Sequence, residues 1–259
     1  MLKFRFFLTI LTVVFFVGCG VVVPTPEQRV QNAKILTNGS KFKSEIFNAS
    51  KFKIFSYHKE LKSCKKAYIY IEGDGFAWRT SSQISLNPTP INPFSLKLAL
   101  RDTHNCVVYL ARPCQYIYNS NCNFKYWTSH RFSIEVIQSY QKILDRFKNR
   151  YKIDSFNLYG YSGGGAIATL LSAFRDDVDL LVTIAGNLDT KHWCNIHHLT
   201  PLKNSLNPAD FTDRLKTQKQ LHLIGEYDKN IDRSVFFSYY KKFKNKQNVK
   251  YKIFKGYTH

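Results

Sequence analysis

The amino-acid sequence predicts an α/β fold with a mostly parallel central sheet and helices on both of its faces. From Ala67 onward, short apolar runs alternate with segments of helical pattern, which is typical of strand–helix–strand units. Of the 259 residues, 44% are hydrophobic and 22% are charged, the composition of a packed globular protein. Because neither a change of composition nor an internal repeat divides the chain, residues 41–259 are expected to form one domain.

The predicted elements follow one another in a regular order. The strands are short apolar runs bounded by turn residues, and they lie at 52–57, 67–71, 106–111, 156–161, 180–185, 220–225 and 249–254. The residues before Ala67, including the run 52–57, are expected to supply antiparallel edge strands. The helices are predicted at 93–101, 133–151, 164–175 and 234–244. Residues 186–210 contain Pro and Asn but little periodicity, so they are expected to form a short cap loop.

A serine lies at the turn between the predicted strand 156–161 and the predicted helix 164–175. The pentapeptide from Gly160 to Gly164 has the pattern G-x-S-x-G, in which a sharp turn presents the hydroxyl of Ser162 at the N-terminus of the helix. Small neighbours are needed because such a turn leaves no room for large side chains. Glycine-rich turns also bind phosphates, so the pentapeptide alone does not establish a nucleophile.

A serine nucleophile requires a histidine base that is oriented by a carboxylate. In an α/β-hydrolase fold the acid follows a late strand and the histidine follows the last one. Asp228 comes shortly after the strand at 220–225, and His259 comes after the strand at 249–254. We therefore predict a catalytic triad of Ser162, Asp228 and His259. The alternative acids are Glu226, Asp232 and Asp213.

Acyl transfer also requires hydrogen-bond donors for the oxyanion. The N–H of Gly163, next to the serine, is one candidate. The backbone of Asp74, in the turn at 72–75, is the other, with Gly75 as its alternative. Trp78 is a candidate wall of an acyl pocket. The candidates for lining the cleft are Arg112, Trp127 and Arg131.

Other kinds of binding have weaker support in the sequence. The residues His192, Cys194, His197 and His198 match no structural zinc spacing, so no metal is expected. Acyl transfer to water needs no cofactor. The net charge of +20 comes from lysines spread along the whole chain, which attracts anionic partners in general. Because no nucleic-acid-binding motif accompanies this charge, no specific nucleic-acid partner is expected.

Residues 1–18 have the features of a signal peptide. Lys3 and Arg5 precede an apolar stretch at 6–17, which is too short to span a bilayer comfortably. The stretch ends in Phe-Val-Gly-Cys, which is similar to a bacterial lipobox, so Cys19 is expected to carry lipid and residues 19–40 to form a tether. We therefore expect an exported lipoprotein on the outer membrane, or another periplasm-facing membrane, of a Gram-negative cell.

Export to an oxidising compartment favours disulfide bonds among the remaining cysteines. Cys114 and Cys122 bracket an Asn-rich loop and are predicted to pair. Cys64 and Cys106 each precede a predicted strand, so they can pair if those strands are neighbours. Cys194 would then be free.

Several runs of sequence resemble a family of uncharacterised bacterial α/β-hydrolase lipoproteins. The runs lie at 70–78, 87–93, 109–115, 126–129, 160–166 and 185–188. The resemblance extends over most of residues 67–259 and implies the fold and the triad described above, but no substrate. One difference is that the related chains usually continue beyond the histidine, whereas this sequence stops there.

These features together predict a serine hydrolase that cleaves a small-molecule or lipid-like ester. The short cap and the lack of an amine-recognising motif favour ester over amide substrates. One alternative is an amidase, peptidase or acyltransferase that uses the same residues. A second alternative, of a different class, is a surface-binding lipoprotein without catalytic activity. The sequence gives no indication of the oligomeric state.

The expected lipid anchor can be tested at its attachment residue. Cys19→Ser removes the thiol that would be acylated, and each buried acyl methylene contributes about 0.8 kcal/mol to membrane binding. The variant should therefore leave the membrane fraction when cells are fractionated. If the variant and the wild type distribute alike, Cys19 does not carry the anchor.

Overall fold

A computed structural model describes residues 23–62 and 64–259. Within these residues, eight strands form one sheet in the order β1-β2-β4-β3-β5-β6-β7-β8. The strands are β1 (Lys43–Ala49), β2 (Phe52–His58), β3 (Lys66–Ile71), β4 (Val107–Leu110), β5 (Ser155–Tyr161), β6 (Val178–Ile184), β7 (Gln220–Gly225) and β8 (Val249–Phe254). The α-helices are α1 (Pro26–Thr37), α2 (Phe94–Arg101), α3 (Ile134–Tyr151), α4 (Gly163–Phe174), α5 (Thr190–Ile196) and α6 (Arg233–Lys241).

The sheet is mostly parallel. Strands β4, β3, β5, β6, β7 and β8 pair in parallel, each with its neighbour. Strand β2 pairs antiparallel with both β1 and β4. The predicted fold class is confirmed, and each predicted strand overlaps an observed one.

Helices cover both faces of the sheet, and β4 shows how its sequence serves both. Successive side chains of a strand point to opposite faces. Val108 and Leu110 pack in the core that contains residues of α3 and α4, whereas Val107 and Tyr109 pack with residues of α1 and α2. A central strand that is buried on both faces therefore reads as an uninterrupted apolar run.

Helix α1 differs from the expectation of a tether over residues 19–40. A capping box begins the helix, because the Thr25 side chain accepts from the Gln28 N–H and the Gln28 side chain accepts from the Thr25 N–H. The buried guanidinium of Arg29 donates to carbonyl oxygens in the segment 87–89. Helix α1 is therefore part of the folded domain. Its apolar pattern is weak because only one of its three buried residues, Ala33, is apolar.

The two predicted disulfides are present. Cys64 and Cys106 lie just before the adjacent parallel strands β3 and β4, with Cα atoms 6.2 Å apart. Cys114 and Cys122 close a short loop, with Cα atoms 5.6 Å apart. Cys194 is the free cysteine among the described residues, and burial raises the pKa of its thiol.

No helix in the described part of the chain is long and apolar enough to cross a bilayer. The predicted signal peptide and the lipidation residue Cys19 lie outside the described residues.

We expect the Cys64–Cys106 bond to stabilise the fold more than the Cys114–Cys122 bond. The paired residues are separated by 42 positions in the first case and by 8 in the second. Loop-closure entropy then predicts losses of about 4 and about 2.5 kcal/mol when each pair is replaced by serines. Urea unfolding of the two double variants measures these losses, and equal values would contradict the expectation.

Candidate active site

Ser162 lies at the turn between β5 and α4, as the N-cap residue of α4. Its φ of +52° is in the left-handed region, which residues other than glycine rarely adopt. Two glycines make this turn sterically feasible. A Cβ on Gly160 would collide with the carbonyl oxygen of Gly164, and a Cβ on Gly164 would collide with that of Ile71. The turn places Ser162 in a cavity at the carboxyl edge of the sheet.

A chain of hydrogen bonds joins Ser162, His259 and Asp228. His259 Nε2 lies 3.0 Å from Ser162 Oγ, and His259 Nδ1 lies 2.8 Å from Asp228 Oδ2. If Nδ1–H is donated to the carboxylate, Nε2 is left as the acceptor for the serine hydroxyl. The three residues follow β5, β8 and β7, whose carboxyl ends lie at one edge of the sheet. The structure thus brings together the residues of the predicted triad.

Asp228 is held by its own loop. Its side chain is fully buried, and Oδ1 accepts from the N–H groups of Asn230 and Ile231 at 2.9 and 2.8 Å. In the described structure the acid that is hydrogen-bonded to His259 is Asp228, and the other candidate acids have different surroundings. Glu226 accepts from the N–H of Gly256, Asp232 accepts from that of Ser234 at the start of α6, and Asp213 is exposed.

The turn at 72–75 packs directly against the N-terminus of α4. A Cβ on Gly163 would collide with Asp74 Oδ1 and would lie 2.9 Å from Arg112 Nη1. Neither Gly163 nor Asp74 donates its backbone N–H to another described residue, and the same holds for Gly75. The two predicted oxyanion donors are therefore adjacent and unpaired.

Asp74 forms ion pairs with two buried arginines. Its Oδ1 lies 2.9 Å from Arg112 Nη1, and its Oδ2 lies 2.6 Å from Arg131 Nη1. Arg112 Nη2 also donates to the carbonyl oxygen of Arg131. Burial would raise the pKa of Asp74, but the two guanidinium groups outweigh it and hold the pKa below its usual value. We call these three residues the Asp74 cluster.

Gln115 supports the same turn from another side. This fully buried side chain donates from Nε2 to the carbonyl oxygen of Gly73 and accepts at Oε1 from the N–H of Arg112, both at 3.0 Å. Asp74, Arg112 and Arg131 were each predicted from the sequence as site residues, but Gln115 was not. The residue lies within a run that resembles the lipoprotein family, but its type and spacing alone do not mark a role.

Glu72 is a second buried carboxyl next to the site, and it was also missed. It is 2% exposed, and Oε1 accepts from the N–H groups of Gly73 and Ser95 at 2.9 and 3.4 Å. Its Oε2 has no hydrogen-bond partner in the described structure. Burial raises the pKa of Glu72 to about 7, although the N–H groups oppose the rise.

A cavity of about 420 Å³ contains Ser162 and His259, a size suited to a small molecule. Aromatic side chains form much of its wall, namely those of Phe76, Trp78, Phe94, Tyr161 and Trp193. Of the candidate cleft residues, Arg131 lines the cavity. Arg112 lies behind it, and Trp127 is buried, with Nε1 donating to the carbonyl oxygen of Ser85.

The segment predicted as a cap loop contains the short helix α5, which brings Trp193 to the cavity. Trp193 Nε1 donates to the carbonyl oxygen of Asn230 at 2.8 Å, and His197 Nε2 lies 2.8 Å from the same oxygen. His192 pairs with Ser234 in α6. Within residues 23–62 and 64–259, no group of His, Cys, Asp and Glu is placed to hold a metal ion.

No protein-family model matches the chain, and no curated protein matches it in sequence. Solved structures do match. Est1E of Butyrivibrio proteoclasticus, solved with ferulic acid, is 16% identical, with a TM-score of 0.58 over 83% of this chain and 90% of that one. An esterase of Pyrococcus furiosus is 14% identical, with a TM-score of 0.58 over 87% and 86%. An acetyl xylan esterase of Paenibacillus sp. R4 is 14% identical, with a TM-score of 0.52 over 90% and 88%.

This likeness establishes the fold. The chain has the α/β-hydrolase fold, with an eight-stranded, mostly parallel sheet in the described residues. The resemblance to a lipoprotein family is supported at the level of the fold only.

Glu72 should make stability depend on pH. Because burial raises its pKa from 4.5 to about 7, its contribution to stability is full below pH 4.5 and is lost as the pH rises through about 7. The side chain in Glu72→Gln is neutral at both pH values. The free energy of unfolding of the variant, relative to that of the wild type, should therefore be about 3 kcal/mol higher at about pH 8 than at about pH 5. Urea unfolding at both pH values measures this difference.

The exposed residue Glu60 provides the control, because Glu60→Gln should change stability little at either pH. If Glu72→Gln and the wild type differ by the same amount at both pH values, Glu72 is not a buried carboxyl of raised pKa.

Proposed function

We propose that the protein is a serine hydrolase that cleaves carboxylic esters through an acyl-enzyme. The observation that carries this proposal is the hydrogen-bonded chain from Ser162 through His259 to Asp228, of which Ser162 and His259 line the cavity. A serine hydroxyl needs a base within hydrogen-bond reach and a third group that orients the base. The distances of 3.0 and 2.8 Å meet both requirements.

In the first half of the reaction, Ser162 Oγ attacks the ester carbonyl carbon while His259 Nε2 takes the hydroxyl proton. The carbonyl oxygen becomes negative, and the unpaired N–H groups of Gly163 and Asp74 donate to it. The C–O bond of the alcohol then breaks, and the proton on Nε2 passes to the leaving alkoxide. The acyl group remains bonded to Ser162.

In the second half, water takes the place of the alcohol. His259 removes a proton from the water as it attacks the acyl carbon, and then returns a proton to Ser162 Oγ as the acid leaves. With two N–H groups on Oδ1 and the imidazole on Oδ2, Asp228 fixes the orientation of the ring and stabilises the imidazolium.

Two observations support esters as the substrate class. The compared structures are described as an enzyme with bound ferulic acid, an esterase and an acetyl xylan esterase. The cavity wall also contains flat aromatic surfaces, which suit an aromatic or short apolar acyl group. Amide cleavage and acyl transfer to another acceptor would use the same residues, so they are outcomes that a substrate panel separates.

We also propose that the enzyme acts outside the cytoplasm as a membrane-anchored lipoprotein. The apolar N-terminal stretch and the lipobox-like sequence at Cys19 support this location. The disulfides Cys64–Cys106 and Cys114–Cys122 support an oxidising compartment.

Ser162→Ala should abolish covalent labelling by a fluorophosphonate probe and reduce ester hydrolysis by roughly a millionfold. The matched control is Ser155→Ala, because Ser155 lies at the opposite end of the same strand and its hydroxyl pairs with Asp179. That variant should label as wild type does. Labelling that persists in Ser162→Ala would exclude Ser162 as the nucleophile. A wild-type protein that is not labelled would favour the non-catalytic binding protein.

A panel of 4-nitrophenyl esters of graded chain length, with feruloyl and acetyl esters and aminoacyl amides, then defines the substrate class. Faster cleavage of the amides would replace esterase with amidase or peptidase.

A further inference from the structure

Arg131 has N–H donors that no described residue accepts. Its Nε donates to the carbonyl oxygen of Thr128 at 2.8 Å, and its Nη1 donates to Asp74 at 2.6 Å. Its Nη2 has no acceptor in the described part of the chain. Arg131 lines the cavity that also contains Ser162 and His259. A guanidinium presents its donors in a fixed fork, so with Nε and Nη1 bonded, Nη2 is the donor left for a ligand bound next to Arg131.

Arg112 binds the same carboxylate but does not line the cavity. Its Nη1 donates to Asp74 and its Nη2 to the carbonyl oxygen of Arg131. Its Nε is sealed from solvent without a partner. Of the two arginines in the Asp74 cluster, Arg131 is therefore the one that can touch a bound molecule.

The Asp74 cluster contains two positive groups and one negative group, so it has an excess positive charge. Both arginines are almost fully buried, at 4% and 6% exposure. Glu72 also lines the cavity, but its Oε1 is bonded to backbone N–H groups next to it. A buried charge without a full counter-charge is unfavourable. An anionic ligand would supply the missing counter-charge, so the cluster favours binding of an anion.

We propose that Arg131 recognises a carboxylate of the substrate, so that the enzyme prefers esters that carry a free carboxylate. This inference rests on the proposed ester hydrolysis and names its substrate class. The aromatic walls hold the apolar part of the substrate while Arg131 binds its charged end. Arg131 is then a specificity-determining residue, and Arg112 holds it in place through Asp74.

Two matched pairs of esters test the proposal. The first pair has the carboxylate on the acyl side, as 4-nitrophenyl hydrogen glutarate against the neutral 4-nitrophenyl pentanoate. The second pair has it on the alcohol side, as 4-acetoxybenzoate against its methyl ester. For each pair the readout is the ratio of the kcat/KM values, charged to neutral. Both substrates are measured in one preparation, so the ratio does not depend on the folded fraction.

In the wild type, the charged ester of at least one pair should be preferred by about 10-fold or more, as for a hydrogen bond between charged groups. Arg131→Gln should bring that ratio close to one. Arg131→Lys keeps the charge and should retain part of the preference. Arg112→Gln removes the other partner of Asp74 but leaves the guanidinium of Arg131, so it should slow both esters and lower the ratio less than Arg131→Gln does.

Wild-type ratios near one in both pairs would overturn the proposal and leave ester hydrolysis intact. If Arg131→Gln lowers kcat/KM equally for the charged and the neutral ester, the proposal is also overturned, because Arg131 would then only position the turn. If no ester is hydrolysed and Ser162 is not labelled by the fluorophosphonate probe, the proposed function itself fails.

Discussion

The ion pairing of Asp74 with Arg112 and Arg131 holds the two halves of the site together. Asp74 belongs to the turn after β3, and its carboxylate lies against Gly163 at the start of α4. The arginines come from the chain that follows β4. Buried charged groups are tolerated when they pair, and here both guanidinium groups pair with the one carboxylate. The cluster therefore fixes the spacing between the serine turn and the turn at 72–75.

The parallel sheet explains why residues so distant in sequence meet at one place. The strands that precede the serine, the acid and the histidine all end at the same edge. Each turn then needs only to orient its own side chain. At Ser162 the neighbouring glycines leave room for the sharp turn, and at Asp228 the N–H groups of Asn230 and Ile231 hold the carboxylate. The sheet sets the positions of the turns, and the turns carry the side chains of the site.

Much of this arrangement could be predicted from the sequence, because it depends on order and period. The G-x-S-x-G turn, together with the position of Asp228 and His259 after late strands, indicated which residues would meet. The disulfide partners Cys64 and Cys106 were also accessible, since each precedes a strand of the predicted sheet.

What the sequence did not predict depends on polar contacts that have no period. The buried face of helix α1 consists of Arg29, Ala33 and Thr37, of which only Ala33 is apolar, so its pattern did not distinguish it from a tether. The Asp74 cluster brings together residues separated by 38 and 57 positions, and no rule of spacing relates them. The raised pKa of Glu72 likewise arises from burial, which only the folded chain shows.

The peptide groups around Asn230 couple the cap to the acid. The N–H of Asn230 donates to Asp228, and its carbonyl oxygen accepts from Trp193 of α5. A change that enlarges the cavity by shifting α5 would therefore be transmitted to the carboxylate that orients His259. For the proposed esterase, breadth of acyl recognition and catalytic efficiency would then not vary independently. New acyl specificities would require compensating changes in the loop after β7.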